Sequence, residues 1–110
     1  MSTTKGRCAE ALVAEYLKRH KHKILAMNWR TRWCEIDIVS RRKKVVYFTE
    51  VKYRSSLDWG GGLDYVTQKK LEQMRFAAEM WLAQNKWRGE AQLQAAAVDS
   101  AEDVEIIELF

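Results

Sequence analysis

Proline is absent from this chain and glycine is scarce, with five in 110 residues, three of them consecutive at Gly60, Gly61 and Gly62. That scarcity leaves no linker, repeat or low-complexity segment at which to divide the chain, so a single domain over residues 1–110 is expected. Cysteine is limited to Cys8 and Cys34. Their spacing fits neither a CxxC nor a zinc pattern, and two reduced thiols in or near the core are expected. No apolar run approaches the length of a membrane span, and the N-terminal MSTTKGRCAE lacks the apolar stretch of a signal peptide. A cytoplasmic protein without a membrane partner is therefore expected. Acid is scarce in one region and base in another. From Lys18 to Arg54 twelve basic residues stand against three acids, a local charge of +9, whereas Glu90 to the C-terminus holds six acids and no base.

What is present suffices for one compact core, since 47% of residues are hydrophobic and five are Trp. The most informative stretch is CEIDIVSRRKKVVYFTEVKYR, Cys34 to Arg54. Two runs rich in β-branched and aromatic residues, Ile36–Val39 and Val45–Tyr53, flank a basic turn from Ser40 to Lys44, which is the pattern of a β-hairpin. Acids interrupt both runs. With the turn centred between Arg42 and Lys43, Ser40 faces Val45, Asp37 faces Phe48 and Glu35 faces Glu50. Glu35, Asp37, Glu50 and Lys52 then share one face of the sheet. Like charges opposite one another destabilise a hairpin, and a divalent cation reverses the sign, because a hard ion such as Mg²⁺ takes carboxylate and carbonyl oxygens. Asp37 and Glu50 lie one diagonal step apart, about 7–8 Å between backbones and within bridging reach. Solvated acids on the wet face of an ordinary hairpin are the competing reading.

The remaining elements follow from periodicity. Lys5 to about Arg19 reads as a helix capped by Thr3 or Thr4, with the stripe Ala9, Leu12, Val13, Tyr16 and Leu17. Glu10 sits at the edge of that stripe, and helix physics alone makes it a surface acid. His20 and His22, two apart, read as surface residues. Ile24–Trp29 is a first strand leading into the hairpin. Trp59 and Tyr65 flank the glycine run in a loop, either free to contact a partner or folded back over the sheet edge. Thr67 to about Asn85 is a second helix, capped by Thr67, with the stripe Leu71, Met74, Ala78, Trp81 and Leu82. Lys69 and Lys70 fall in its first turn, where cations oppose the helix dipole and a nearby anion would account for them. Leu93–Val98 and Val104–Leu109 complete the order αβββαββ, an α/β fold with a mixed central sheet flanked by helices.

A basic half that carries an acidic hairpin points to a polyanion held beside a metal site through sequence-independent phosphate contacts. The basic residues concerned are Arg30, Arg32, Arg41, Arg42, Lys43, Lys44, Arg54, Lys69 and Lys70.

These residues also carry a family resemblance. KGRCAE, ILAMNWRTRWCEIDIV and VVYFTEVKYR resemble the YraN-like family of small bacterial proteins, whose pattern is roughly G-x-x-x-E, N-x-R, G-E-I-D, F-V-E-V-K-x-R and a later Lys. That family is similar to archaeal Holliday-junction resolvases and to the PD-(D/E)xK nuclease fold. The resemblance runs through Lys70 and implies a restriction-endonuclease-like αβββαβ core. It implies Asp37 and Glu50 as metal ligands, Lys52 as the catalytic lysine and Glu10 as a further acid from the first helix, with Glu35, Arg54 and Lys70 also on patterned positions. The chain departs from the pattern at Cys34, where the family has Gly, and at Gln94, where it often has Asp. The implied function is a metal-dependent endonuclease-like protein acting on DNA, with branched, Holliday-junction-like DNA as a candidate substrate. In it Asp37, Glu50 and the Val51 carbonyl would hold Mg²⁺ or Mn²⁺. A homodimer is a further assembly to consider. Two readings from other classes stand beside it: a non-catalytic nucleic-acid-binding module that keeps the fold, and a partner-binding protein that uses its acidic tail.

Overall fold

The computed structural model describes residues 4–53 and 66–109. Thr3, Arg54, Trp59, the Gly60–Gly62 run and Tyr65 lie outside the described residues. The elements are α1 (Thr4–Arg19), β1 (Lys23–Arg30), β2 (Glu35–Arg42), β3 (Val45–Tyr53), α2 (Gln68–Gln84), β4 (Glu90–Val98) and β5 (Val104–Glu108). Their order is the αβββαββ expected from the pattern of apolar residues. Among the described residues no helix is long and apolar enough to cross a membrane.

The start of α2 and the ends of both helices have local reasons. At the start of α2 the Thr67 hydroxyl accepts the Lys70 amide at 3.1 Å, satisfying one of the donors that a helix start leaves open. Both helices end with a lysine where glycine is usual. Lys21 (φ 71°) follows α1, with the His22 amide reaching back to the Leu17 carbonyl at 2.9 Å. Lys86 (φ 52°) follows α2, with the Trp87 amide on the Leu82 carbonyl at 3.1 Å. These are Schellman-type closures.

The five strands lie in the order β1-β2-β3-β4-β5. β1–β2, β2–β3 and β4–β5 are antiparallel, whereas β3 and β4 are parallel and are joined through α2. This α/β arrangement is compatible with a restriction-endonuclease-like core. α1 covers one face through Ala9, Val13, Leu17, Ile38, Ala96 and Val98. α2 covers the other, where Phe48, fully buried, meets Trp81 edge-on at 5.7 Å among Ile36, Val39, Val46 and Met74.

The hairpin register differs from the expected one. Arg42 pairs with Val45 and Val39 with Phe48, so the turn is the two residues Lys43 and Lys44, with Lys43 at φ 56°. Asp37 therefore does not face Phe48, nor Ser40 Val45. The slip is two residues, and because side chains alternate with period two, it does not by itself turn a residue to the other face. Continued one residue beyond its last pair, Ile38–Thr49, this register sets Asp37 level with Glu50, where the expected register left them diagonal.

Two further expectations are corrected. Cys8 is exposed rather than near the core, and only Cys34 is partly buried. His22 is partly buried rather than on the surface, its Nδ1 2.9 Å from the Ser40 hydroxyl and its ring against Tyr47. Burial and the nearby Arg42 hold its pKa below the usual histidine value.

Candidate active site

The sheet changes phase at one position. Along β2, Ile36 and Val39 pack under α2 while Ile38 packs under α1, so the strict alternation of a strand is broken between Ile36 and Ile38. The residue at the break is Asp37. β1 breaks at the matching place: Met27 pairs with Ile38 and Trp29 with Ile36, which sets Asn28 across from Asp37, and Asn28 sits at φ 51°. A left-handed conformation inside a strand is tolerated by Asn better than by most residues. On the other side of β2, the β2–β3 ladder ends at Ile38–Thr49 while β3 continues along β4 to Tyr53. The Asp37 carboxylate takes up the backbone donor left beyond that end, accepting the Val51 amide at 2.8 Å.

Acids reach this point from both faces. Glu50, two residues beyond Phe48, lies on the α2 face, where its Oε1 is 3.1 Å from the Lys70 ammonium. Lys52, exposed, follows on the same face. Glu10 arrives from α1 on the opposite face and is only 6% exposed, its Oε1 accepting the Asn28 side-chain amide at 3.0 Å. Helix physics alone made Glu10 a surface acid. The structure buries it, because α1 lays that edge of its stripe over the break in the sheet. Asn28 was not among the candidate residues, although it stands in the N-x-R pattern. Its Oδ1 is buried and has no hydrogen-bond partner among the described residues. Glu35 is more peripheral, exposed and 3.8 Å from the Arg30 guanidinium.

The electrostatics follow from this crowding. Burial raises the Asp37 carboxyl pKa to about 7, with the negative charges of Glu50, Glu10 and Glu35 adding to the effect and the Val51 amide opposing it. Burial also raises that of Glu50; Lys70 pulls it back, and Glu35 and Glu10 push it up again. The nearby anion expected for Lys70 is Glu50, which accounts for a cation in the first turn of α2.

Among the described residues no three His, Cys, Asp or Glu side chains form a ready-made metal cage. The donors that are present still suit Mg²⁺, which binds through one or two carboxylates and keeps waters or substrate phosphates for the rest. Asp37, Glu50 and the Val51 carbonyl are all hard oxygens. Across from Asp37 the Asn28 side-chain carbonyl has no hydrogen-bond partner among the described residues, burial disfavours the ionised forms of Asp37 and Glu50, and Lys70 offsets the crowding at Glu50.

The basic candidates divide into two groups. Arg30 and Lys70 line a cleft of about 360 Å³ with Glu35, and Lys69 precedes Lys70 in the first turn of α2. Arg32 sits in the β1–β2 loop, its guanidinium 5.3 Å from the Trp33 ring. Arg41, Arg42, Lys43 and Lys44 are at the other end of the hairpin, Arg41 being four residues from Asp37, or about 13 Å along the strand. There Arg41 donates to the Lys43 carbonyl at 2.8 Å and lies over Trp87 at 4.7 Å. The tip cations are therefore not beside the acids.

The two departures from the family pattern are locally accommodated. In the loop before β2 the Thr31 hydroxyl accepts the amides of Trp33 and Cys34, and the Thr31 amide donates to the Cys34 carbonyl, so this turn closes without glycine. Gln94 is buried and donates to the Thr49 hydroxyl at 3.0 Å.

Comparison with known proteins gives the family. The chain is 44% identical over 80 residues to a UPF0102 protein of Parafrankia sp. (strain EAN1pec), an alignment covering 73% of this chain and 68% of that one. It is 33% identical over 100 residues to a UPF0102 protein of Pseudomonas fluorescens (strain Pf0-1), covering 89% and 83%. It is 37% identical over 87 residues to one of Stutzerimonas stutzeri (strain A1501), covering 78% and 72%. The model of the uncharacterised protein family UPF0102 matches residues 9–106, a span that contains Glu10, Asn28, Asp37, Glu50, Lys52 and Lys70, and the chain belongs to this YraN-like family.

Proposed function

We propose that this protein is a metal-dependent endonuclease-like protein that binds and cleaves DNA, with branched DNA as the favoured substrate. The observation that carries the reading is the Asp37 carboxyl, docked on the Val51 amide level with Glu50 at the place where the sheet changes phase. A bland hairpin has no use for two half-buried acids there, whereas a cation site does. Asp37, Glu50 and the Val51 carbonyl would hold Mg²⁺ or Mn²⁺. When bound, such an ion polarises a phosphoryl oxygen and lowers the pKa of a coordinated water.

The chain's own residues supply the rest. Lys52, exposed on the Glu50 face, donates to the attacking water and offsets the charge that builds on the phosphate oxygens. Glu10 and Asn28 hold the break in the sheet from the α1 side. Arg30, Arg32, Lys69 and Lys70 place cations at the same end for phosphate contacts that carry no sequence preference. Arg54 of the EVKxR pattern would add one more. The Glu50–Lys70 ion pair favours a second reading, a non-catalytic nucleic-acid-binding module, because an internal cation already occupies one metal ligand.

The deciding experiment incubates purified protein with duplex, single-stranded and four-way DNA in Mg²⁺ or Mn²⁺, alongside Asp37→Asn, Glu50→Gln and Lys52→Ala. Nicking that needs the metal and disappears in all three supports the enzyme. DNA binding without nicking supports the module, and nicking that survives all three substitutions places the chemistry elsewhere.

A further inference from the structure

Trp33 is the most exposed large apolar side chain among the described residues, at 68%, and it packs into neither of the two core clusters. Burying such a ring is among the larger single gains open to a protein, so its exposure asks for an occupant. Its position narrows the choice. Trp33 lines the cleft of about 360 Å³ that also contains Arg30, Glu35 and Lys70, and Lys70 holds Glu50. The Arg32 guanidinium lies over its ring. The loop that carries it is pinned by the Thr31 hydroxyl, which accepts the Trp33 amide at 3.1 Å and the Cys34 amide at 3.2 Å, so the ring stands on a fixed turn.

A flat ring beside three cations, at the mouth of an acidic site, matches the chemistry of an unpaired nucleobase attached to its phosphates. Base–aromatic stacking uses the face that base pairing leaves free, but a base inside an intact duplex already has both faces covered by its neighbours. Resting on the DNA reading given above, we propose that Trp33 is a specificity-determining residue: it stacks an unpaired base next to the scissile phosphate and so selects DNA with single-stranded or branched character over intact duplex. Arg30, Arg32 and Lys70 hold the flanking phosphates, and their contribution is common to every DNA structure.

The test measures binding of the full chain in EDTA, where no cleavage occurs, to labelled single-stranded, forked, four-way and intact duplex DNA at one salt concentration. The parent should prefer the first three. Trp33→Ala should lose about tenfold or more in affinity for the single-stranded and forked DNAs, the scale of one stacked base, with intact duplex changed less than about twofold because phosphate contacts remain. Trp33→Phe, which keeps a ring, should retain most of the preference. Because the side chain is exposed, the far-ultraviolet circular dichroism of both variants should match the parent. Loss on forked and four-way DNA alone assigns the occupant to a junction base, and loss on single strands as well assigns it to any unpaired base; both support the proposal. Duplex and forked DNA losing equally in Trp33→Ala, or neither losing, overturns it while leaving the DNA reading intact. Failure of the parent to bind any of the four DNAs overturns both.

Discussion

At its tip the β2–β3 hairpin sets four cations in succession, Arg41, Arg42, Lys43 and Lys44, and at its other end it gathers Glu35, Asp37 and Glu50. The two crowds are treated differently. At the tip the strands stay paired up to Arg42–Val45, and all four side chains are exposed, so water screens their repulsion. At the acidic end the β2–β3 ladder stops, Asp37 bonds to a backbone amide beyond it, and helices on both faces keep part of the water away. Like charges in water cost little; like charges that are partly buried shift their own protonation. The difference shows why a charge run by itself says little about function, whereas charge placed where backbone pairing ends says more.

The largest expected effect separates the two ends by chemistry. Asp37→Asn or Glu50→Gln should lower metal-dependent cleavage by at least about a hundredfold, the range seen when an electrostatic contact to the transition state is removed. Neutralising Arg42, Lys43 and Lys44 together should leave the chemical step in place and act on binding alone. Single-turnover cleavage at saturating protein separates the two effects, and a tip variant as inactive as Asp37→Asn would erase the distinction.

Next in size is stabilisation by metal. An ion that binds only the folded chain adds RT ln(1 + [L]/Kd), roughly 2.7 kcal/mol at a hundredfold excess over Kd. Mn²⁺ should raise the parent's unfolding temperature relative to EDTA, Lys52→Ala should respond like the parent, and Glu50→Gln should lose most of the gain. Equal responses in parent and Glu50→Gln would reduce the acidic end to an ordinary wet sheet surface.

Proton linkage gives the third. The Asp37 carboxyl titrates near 3.8 unperturbed and at about 7 in the fold, so between those values the folded chain holds a proton that the unfolded chain has released. The associated stability is complete below the lower value and is lost as pH rises through the upper one. In EDTA the unfolding temperature should therefore fall between about pH 4 and pH 7, and Asp37→Asn should flatten that fall. Metal affinity should rise over the same window, because the ion needs the ionised carboxylate. A parent whose stability is level across it would mean that Asp37 is ionised throughout.

The smallest effects test the ion pair and the tip. Lys70→Met leaves Glu50 facing Glu35, Glu10 and Asp37 without its cation and should cost about 1–3 kcal/mol in EDTA, the penalty of a half-buried charge left unpaired. Glu50→Gln removes the charge together with the pair and should stay within about 1 kcal/mol of the parent. Denaturant unfolding compares them, and an equal cost for both would mean that the pair itself, not the crowding, matters. At the tip the triple neutralisation should change stability by no more than about 0.5 kcal/mol per exposed site. The dependence of DNA affinity on salt should nonetheless flatten by about two to three units in log–log slope. A salt slope that does not change would remove the tip from the DNA contacts.

The sequence by itself determined the order of elements, because apolar residues repeat at helical spacing in α1 and α2 and in short β-branched runs in the strands. It put Glu50 and Lys52 on one face of β3, since a two-residue slip preserves alternation, and through the family pattern it marked Asp37, Glu50, Lys52 and Glu10 for one site. The tertiary structure decided what periodicity cannot encode. Whether Glu10 is buried depends on where α1 crosses the sheet, and whether Asp37 stands diagonal to Glu50 or level with it depends on a turn of two residues with Lys43 in a left-handed conformation. That Lys70 meets Glu50 depends on α2 starting over the β3 face, far along the chain from the acid it neutralises. Asn28 was legible only as one letter of a pattern. Its role at the break in the sheet arises from two strands changing phase at the same level, a property of the pair that neither strand carries in its own sequence.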